Sequence, residues 1–183
     1  AHVASHERAA EIIARIAHQA MQMAGQRARS PKPLTEYELM QWILSQFRAA
    51  NVETDHGPNV SVGANAANPH YEPTAAVSAL IRQGDLLLID LWAHEPDGGV
   101  WADQTWMGTV GAPSPRANEV WTAVRDARDA AIALVKERQA AGRPLLGADV
   151  DGAARRVITE RGFVAARRAA LAAALPERAK LGP

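Results

Sequence analysis

Two aspartates stand inside apolar sequence: Asp90 in Leu88-Ile89-Asp90-Leu91-Trp92, and Asp103 in Val100-Trp101-Ala102-Asp103. The segment that holds them, Gly84 to Gly111, has two β-prone runs, Leu86 to Trp92 and Gly99 to Val110, around the turn-rich Glu95-Pro96-Asp97-Gly98. That pattern predicts a β-hairpin. A turn centred on Pro96 and Asp97 sets Asp90 directly opposite Asp103. Like charges facing each other across a strand pair repel, and a buried carboxylate is costly unless something compensates it. A divalent cation is the simplest compensation. One Asp in a strand is ordinarily a surface or edge residue; the matched pair is what structure alone does not account for.

A second candidate lies upstream. The run from Gly63 to Pro73, GANAANPHYEP, is a polar loop of a length that signals function rather than mere connection. Pro69 fixes the backbone before His70 and Pro73 stiffens the backbone beyond it, as a positioned hydrogen-bonding group requires. On the residues alone, a solvated loop histidine is an equally good reading. His56, in Asp55-His56-Gly57-Pro58, reads as a turn residue, and His2, His6, His18 and His94 as surface residues. Trp92, Trp101 and Trp106 read as core or pocket wall, since no basic groove accompanies them. The chain has no cysteine, so a metal must be held by oxygen and imidazole, which suits Mn, Co, Fe, Zn or Mg. No Gly-rich phosphate loop and no Gly-x-Ser-x-Gly elbow is present.

The elements that must position these groups can be read in order. Ile12, Ile13, Ile16, Ala20 and Met23 recur at helical spacing between a candidate N-cap, Ser5, and a candidate C-cap, Gly25. Thr35 followed by Glu38 is a capping box, and Leu39, Trp42, Ile43 and Phe47 mark the buried stripe of a second helix ending near Asn51. Asn59 to Val62 is a short β-like piece, and Gln83-Gly84-Asp85 is a tight turn into the hairpin. Ser114-Pro115 starts a third helix with the stripe Val120, Val124, Ala127, Ala131 and Val135, stopped by Gly142 and Pro144. A fourth begins near Asp149 and Asp151 and ends at Gly162. The order argues an α+β fold with helices packed on an antiparallel sheet.

The 183 residues carry 20 basic and 20 acidic side chains, and like charges cluster only in short pairs. Neither nucleic acid nor a membrane surface is expected as a partner on charge grounds, and no apolar run is long enough to span a bilayer. The parsimonious reading is a soluble cytoplasmic protein. The chain opens at Ala1 without Met, which reads as a piece of something longer.

These residues resemble the pita-bread metallopeptidases, the family of methionine aminopeptidase, aminopeptidase P, prolidase and creatinase. The resemblance runs from about Glu7 to Phe163 and rests on Leu34-Thr35-Glu36, Asn65-Ala66-Ala67-Asn68-Pro69-His70-Tyr71, Ile89-Asp90-Leu91-Trp92, Gly99 to Thr105 and, more weakly, Asp151 to Arg155. It implies that residues 1–163 are the first half of a pita-bread catalytic domain, while 164–183, by composition an Ala/Arg-rich tail, does not resemble the family's continuation. By the same resemblance, Asp90 and Asp103 are the first two metal ligands, the second bridging two ions. His70 is the loop histidine that binds substrate without ligating metal. Two divalent ions (Mn, Co or Zn), a peptide substrate cut beside proline and a homodimer are implied by the same source. The family needs three further ligands, a histidine and two glutamates. No His follows His94 here, and beyond Phe163 the one acidic residue is Glu177. The expectation is therefore a metallopeptidase whose chain, as it stands, is incomplete and inactive. A non-enzymatic pita-bread module that binds peptides or proteins, or a creatinase-like or lyase-like relative, is the alternative.

Overall fold

Three antiparallel strands in the order β1-β2-β3 form the sheet: β1 (Asn59–Val62), β2 (Leu86–Ala93) and β3 (Ala102–Thr109). This computed structural model describes residues 2–163; the expected Ala/Arg-rich tail, from 164 onward, lies outside the described residues. By internal packing the chain divides after Ser114 into two units.

In the first unit, helix α1 (His2–Arg27) lays Ala9, Ile13, Ile16, Ala17, Ala20 and Ala24 against the sheet and the second helix. Its stripe is that of the sequence, with alanines taking more of it and Ile12 and Met23 at its margin. The caps differ from expectation, because the helix runs past both Ser5 and Gly25. Ser5 instead accepts a hydrogen bond from Val100 N–H through its hydroxyl (3.2 Å). Helix α2 (Glu36–Ala49) opens as predicted. Thr35 Oγ1 accepts from Glu38 N–H (3.1 Å) and Glu38 Oε2 accepts from Thr35 N–H (2.8 Å). Leu39, Met40, Ile43 and Phe47 are buried, and Asn51, at φ 53°, turns the chain out of the helix. Strand β1 falls where the sequence placed it.

The hairpin connection corrects the sequence reading. Asp90 pairs with Thr105 and Asp103 with Trp92, so the hairpin axis falls between Asp97 and Gly98, not Pro96 and Asp97. The reason is proline's locked negative φ, which bars Pro96 from the positive-φ pair that matches strand twist. Asp97 (φ 60°) and Gly98 (φ 82°) supply that pair, and Gly99 N–H donates to Glu95 O (3.2 Å). A Cβ on Gly99 would sit 2.4 Å from Glu95 O, so the connection requires glycine there. Residues 99–101, read as strand, belong to this connection, which the first turns of α1 hold. Arg8 reaches both Glu95 oxygens (2.6 and 2.7 Å), and His6 Nδ1 bonds Trp101 O (2.8 Å).

The second unit contains helices α3 (Pro115–Ala140) and α4 (Gly147–Glu160), packed on each other. Asp149 caps α4 from within, accepting from Leu146 N–H (3.1 Å), so the helix starts two residues before the expected Asp149. The α3 stripe read from the sequence is not a buried one. Ala123 and Ala127 are buried, whereas Val120, Val124 and Val135, with Trp121 and Ile132, are exposed. Among the described residues no helix is long and apolar enough to cross a membrane.

Candidate metal centre

Side-chain alternation along β2 and β3 divides the sheet. Leu87, Ile89, Leu91 and Ala93 point into the core with Ala102, while Asp90, Trp92, Asp103 and Thr105 share the opposite face. Asp90 and Asp103 are therefore brought together, as diagonal rather than direct neighbours. They are also not enclosed in apolar surroundings as the sequence suggested: Asp90 is half-buried and Asp103 exposed. Their charges still sense one another. Partial loss of water, and then the charge of Asp90, push the Asp103 carboxyl above its ordinary value. Thr105 Oγ1 donates to Asp90 Oδ1 (2.6 Å), which orients that carboxylate.

Trp92 forms one wall of this face, its indole N–H donating to Asp55 Oδ1 (2.6 Å). That bond, followed by the bond to His56, holds the Asp55 carboxyl below its ordinary value. His56 Nδ1 lies 3.1 Å from Asp55 Oδ1, and its ring centroid lies 6.4 Å from that of Trp92. The sequence reading left His56 as a plain turn residue; the Asp55–Trp92 bond places its turn beside the carboxylate face. Trp106, on the core side, packs against the apolar cluster, and Trp101 is exposed with its ring 4.2 Å from His94. His94 is accordingly half-buried rather than a surface residue.

The loop that carries His70 is anchored by a residue the sequence singled out only as part of a motif. Glu36 is fully buried, and four segments send donors to its carboxylate. Val62 N–H reaches Oε1 (2.7 Å), Asn65 Nδ2 reaches both oxygens (3.0 and 3.2 Å), and Tyr71 OH (2.6 Å) and Ala79 N–H (2.7 Å) reach Oε2. A short 3₁₀ turn, Gly63–Ala67, packs on β1 and β2. Asn68 O then accepts from Asn59 Nδ2 (3.3 Å), and Asn68 Oδ1 from His70 N–H (3.0 Å). His70 itself is exposed at the tip of this loop. The loop is thus tied at its base to the strand beside Asp90.

Burial and the bond to Glu36 push the Tyr71 phenol up to about 12. Its unfolded value is 10.0, so the folded state keeps a proton that the unfolded chain releases. Stability is expected to fall as pH rises from about 10 through about 12. Tyr71→Phe should remove that phase from a series of urea titrations; an identical alkaline profile would break the assignment.

Three observations fit a hard cation on this face: a like-charged pair, an all-oxygen donor set, and the buried oxygen Asn59 Oδ1, which lacks a hydrogen-bond partner. Among the described residues, however, no three His, Asp or Glu come together as a ready metal cage.

Known proteins match this architecture. The chain is 31% identical over 113 residues to the Xaa-Pro dipeptidase of Lactobacillus delbrueckii subsp. lactis, covering 61% of this chain and 27% of that protein. The structure resembles prolidase from Thermococcus sibiricus with a TM-score of 0.65 at 25% identity, over 88% of this chain and 40% of that one. It also resembles X-Pro aminopeptidase from Thermotoga maritima, with a TM-score of 0.70 at 23% identity over 88% and 42%. The chain thus spans about a quarter to two fifths of the length of these relatives. Residues 5–176 match Metallopeptidase family M24, a span that continues past the Phe163 at which the motifs stop. An open-faced antiparallel sheet carrying two strand aspartates, a loop histidine tied to its edge and this match together place the chain in Metallopeptidase family M24, with the first part of its pita-bread fold.

Proposed function

We infer that this chain forms the first part of the catalytic domain of a metal-dependent peptidase that cleaves beside proline. The observation that carries the reading is the placement of Asp90 and Asp103 on one open face, with Asp90 held by Thr105. Asp90 and Asp103 would hold the metal, and the family resemblance implies two ions at the complete site. When bound, such ions acidify water and polarise the carbonyl of the scissile bond. Thr105 orients Asp90 through the hydrogen bond to one of its oxygens. His70, exposed on a loop whose base is fixed through Glu36 and Asn68, serves as a hydrogen-bonding group for the peptide. Trp92 supplies an apolar wall beside Asp103. The histidine and two glutamates that the resemblance implies as further ligands do not all lie within these 183 residues, and the proline preference rests on the Xaa-Pro dipeptidase and prolidase activities of the relatives.

Manganese is the first metal to test, with cobalt and zinc after it, and a cytoplasmic homodimer is part of the same proposal. The experiment is hydrolysis of Xaa-Pro dipeptides and Xaa-Pro-initiated peptides by the protein carrying this segment at the length of its relatives, with and without Mn²⁺. Metal-dependent release of the residue before proline supports the reading. Peptide binding without turnover under the same conditions would favour the non-enzymatic module.

A further inference from the structure

We propose that Asn59 supplies a third protein oxygen to the cation at Asp90, a role that rests on the metal reading of the carboxylate face. Asn59 pairs directly with Asp90 across β1 and β2, and Asp90 pairs with Thr105 across β2 and β3. Residues directly opposite in antiparallel strands put their side chains on the same face, about 5 Å apart at Cβ. Asn59, Asp90 and Thr105 therefore form one row across the whole sheet, with the carboxylate in the middle.

The two flanking groups are not equivalent. Thr105 turns a donor toward Asp90, its hydroxyl lying 2.6 Å from Oδ1. Asn59 commits its donor end elsewhere, Nδ2 reaching Asn68 O at 3.3 Å. Its acceptor end, Oδ1, is buried in a residue only 6% exposed and has no donor. A buried carbonyl oxygen without a partner costs the fold its desolvation. Asn59 stands directly across the strand pair from Asp90, and turning the amide over would surrender the Asn68 bond that ties down the His70 loop. A positive centre shared between the carboxylate and the carboxamide would give that oxygen a partner, and hard divalent cations take side-chain amide oxygens alongside carboxylates. The row then has a division of labour: Thr105 orients Asp90 from one side, and Asn59 adds an oxygen from the other.

The probe is Mn²⁺ alone, titrated into the 183-residue chain, with free aquo-Mn²⁺ read by electron paramagnetic resonance and folding followed by far-ultraviolet circular dichroism. Asn59→Ala is expected to raise the Kd about three- to tenfold, and Asn59→Asp, similar in shape with a full charge, to lower it below that of the parent. Asp90→Asn should abolish binding. If Asp90→Asn abolishes binding while Asn59→Ala and Asn59→Asp bind as the parent does, the role of Asn59 is overturned and the metal reading stands. Should Asp90→Asn bind Mn²⁺ like the parent, the metal reading fails and this inference with it. Where Asn59→Ala does not fold, Asn59→Asp decides: affinity no better than the parent's overturns the proposal.

Discussion

Glu36→Ala is expected to lower the unfolding free energy by about 3–5 kcal/mol. The size reflects the groups left behind once the carboxylate is removed. Val62 N–H, Ala79 N–H, Asn65 Nδ2 and Tyr71 OH all lose at once an acceptor that is itself fully buried. Each buried donor left unpaired costs about 1–3 kcal/mol, and partial collapse of the site keeps the total below their sum. With a urea slope of about 1–3 kcal/mol per molar, the midpoint should fall by roughly 2 M. Tyr71→Phe removes a single bond and should cost about 1 kcal/mol. A Glu36→Ala midpoint equal to that of the parent would show that the four donors find other partners.

Asp103→Ala, in the protein at the length of its relatives, is expected to reduce kcat/KM by about 10²–10⁴-fold while the fold persists. As a proposed metal ligand, Asp103 would support several kcal/mol of transition-state charge, and each 1.4 kcal/mol is about tenfold in rate. An unchanged rate would remove Asp103 from the chemistry. The same carboxylate should act in the opposite direction on the stability of the metal-free chain. Its folded pKa is raised above the ordinary 3.8, so protons are bound more tightly in the folded state than in the unfolded one. Stability contributed this way is fully present below 3.8 and is lost as pH rises through the higher folded value. Asp103→Asn should therefore be more stable than the parent at about pH 7, with the gap closing near pH 2, as read from urea midpoints without metal. Both outcomes together would mark Asp103 as a residue kept for its chemistry and not for the stability of the fold.

The local features of the chain were legible in its sequence. The Thr35–Glu38 capping box and strand Asn59–Val62 appear as read, because their signals lie within a few residues. The α1 stripe was legible for the same reason. The hairpin register was misread by its turn: Pro96 drew the axis, although Asp97-Gly98 is the stronger signal and carries the two positive φ values. Glu36 and Asn59 were missed as site builders because their partners lie far along the chain, as with Glu36 and Ala79 or Asn59 and Asp90. No window-based pattern shows such pairings. The α3 stripe shows the converse limit. Apolar periodicity at Val120, Val124 and Val135 reports a face fit for burial, not that a partner covers it.

The grip of α1 on the hairpin connection sets where the chain tolerates shortening. Ser5, His6 and Arg8 hold Val100, Trp101 and Glu95, whereas the core stripe of the same helix begins only at Ala9. Trimming the residues before Ala9 would leave that stripe intact and release the bend after His94, close in the chain to Trp92 on the carboxylate face. A protease would find its first cleavage site in the bend rather than in the helix, so the opening turns of α1 serve as a splint.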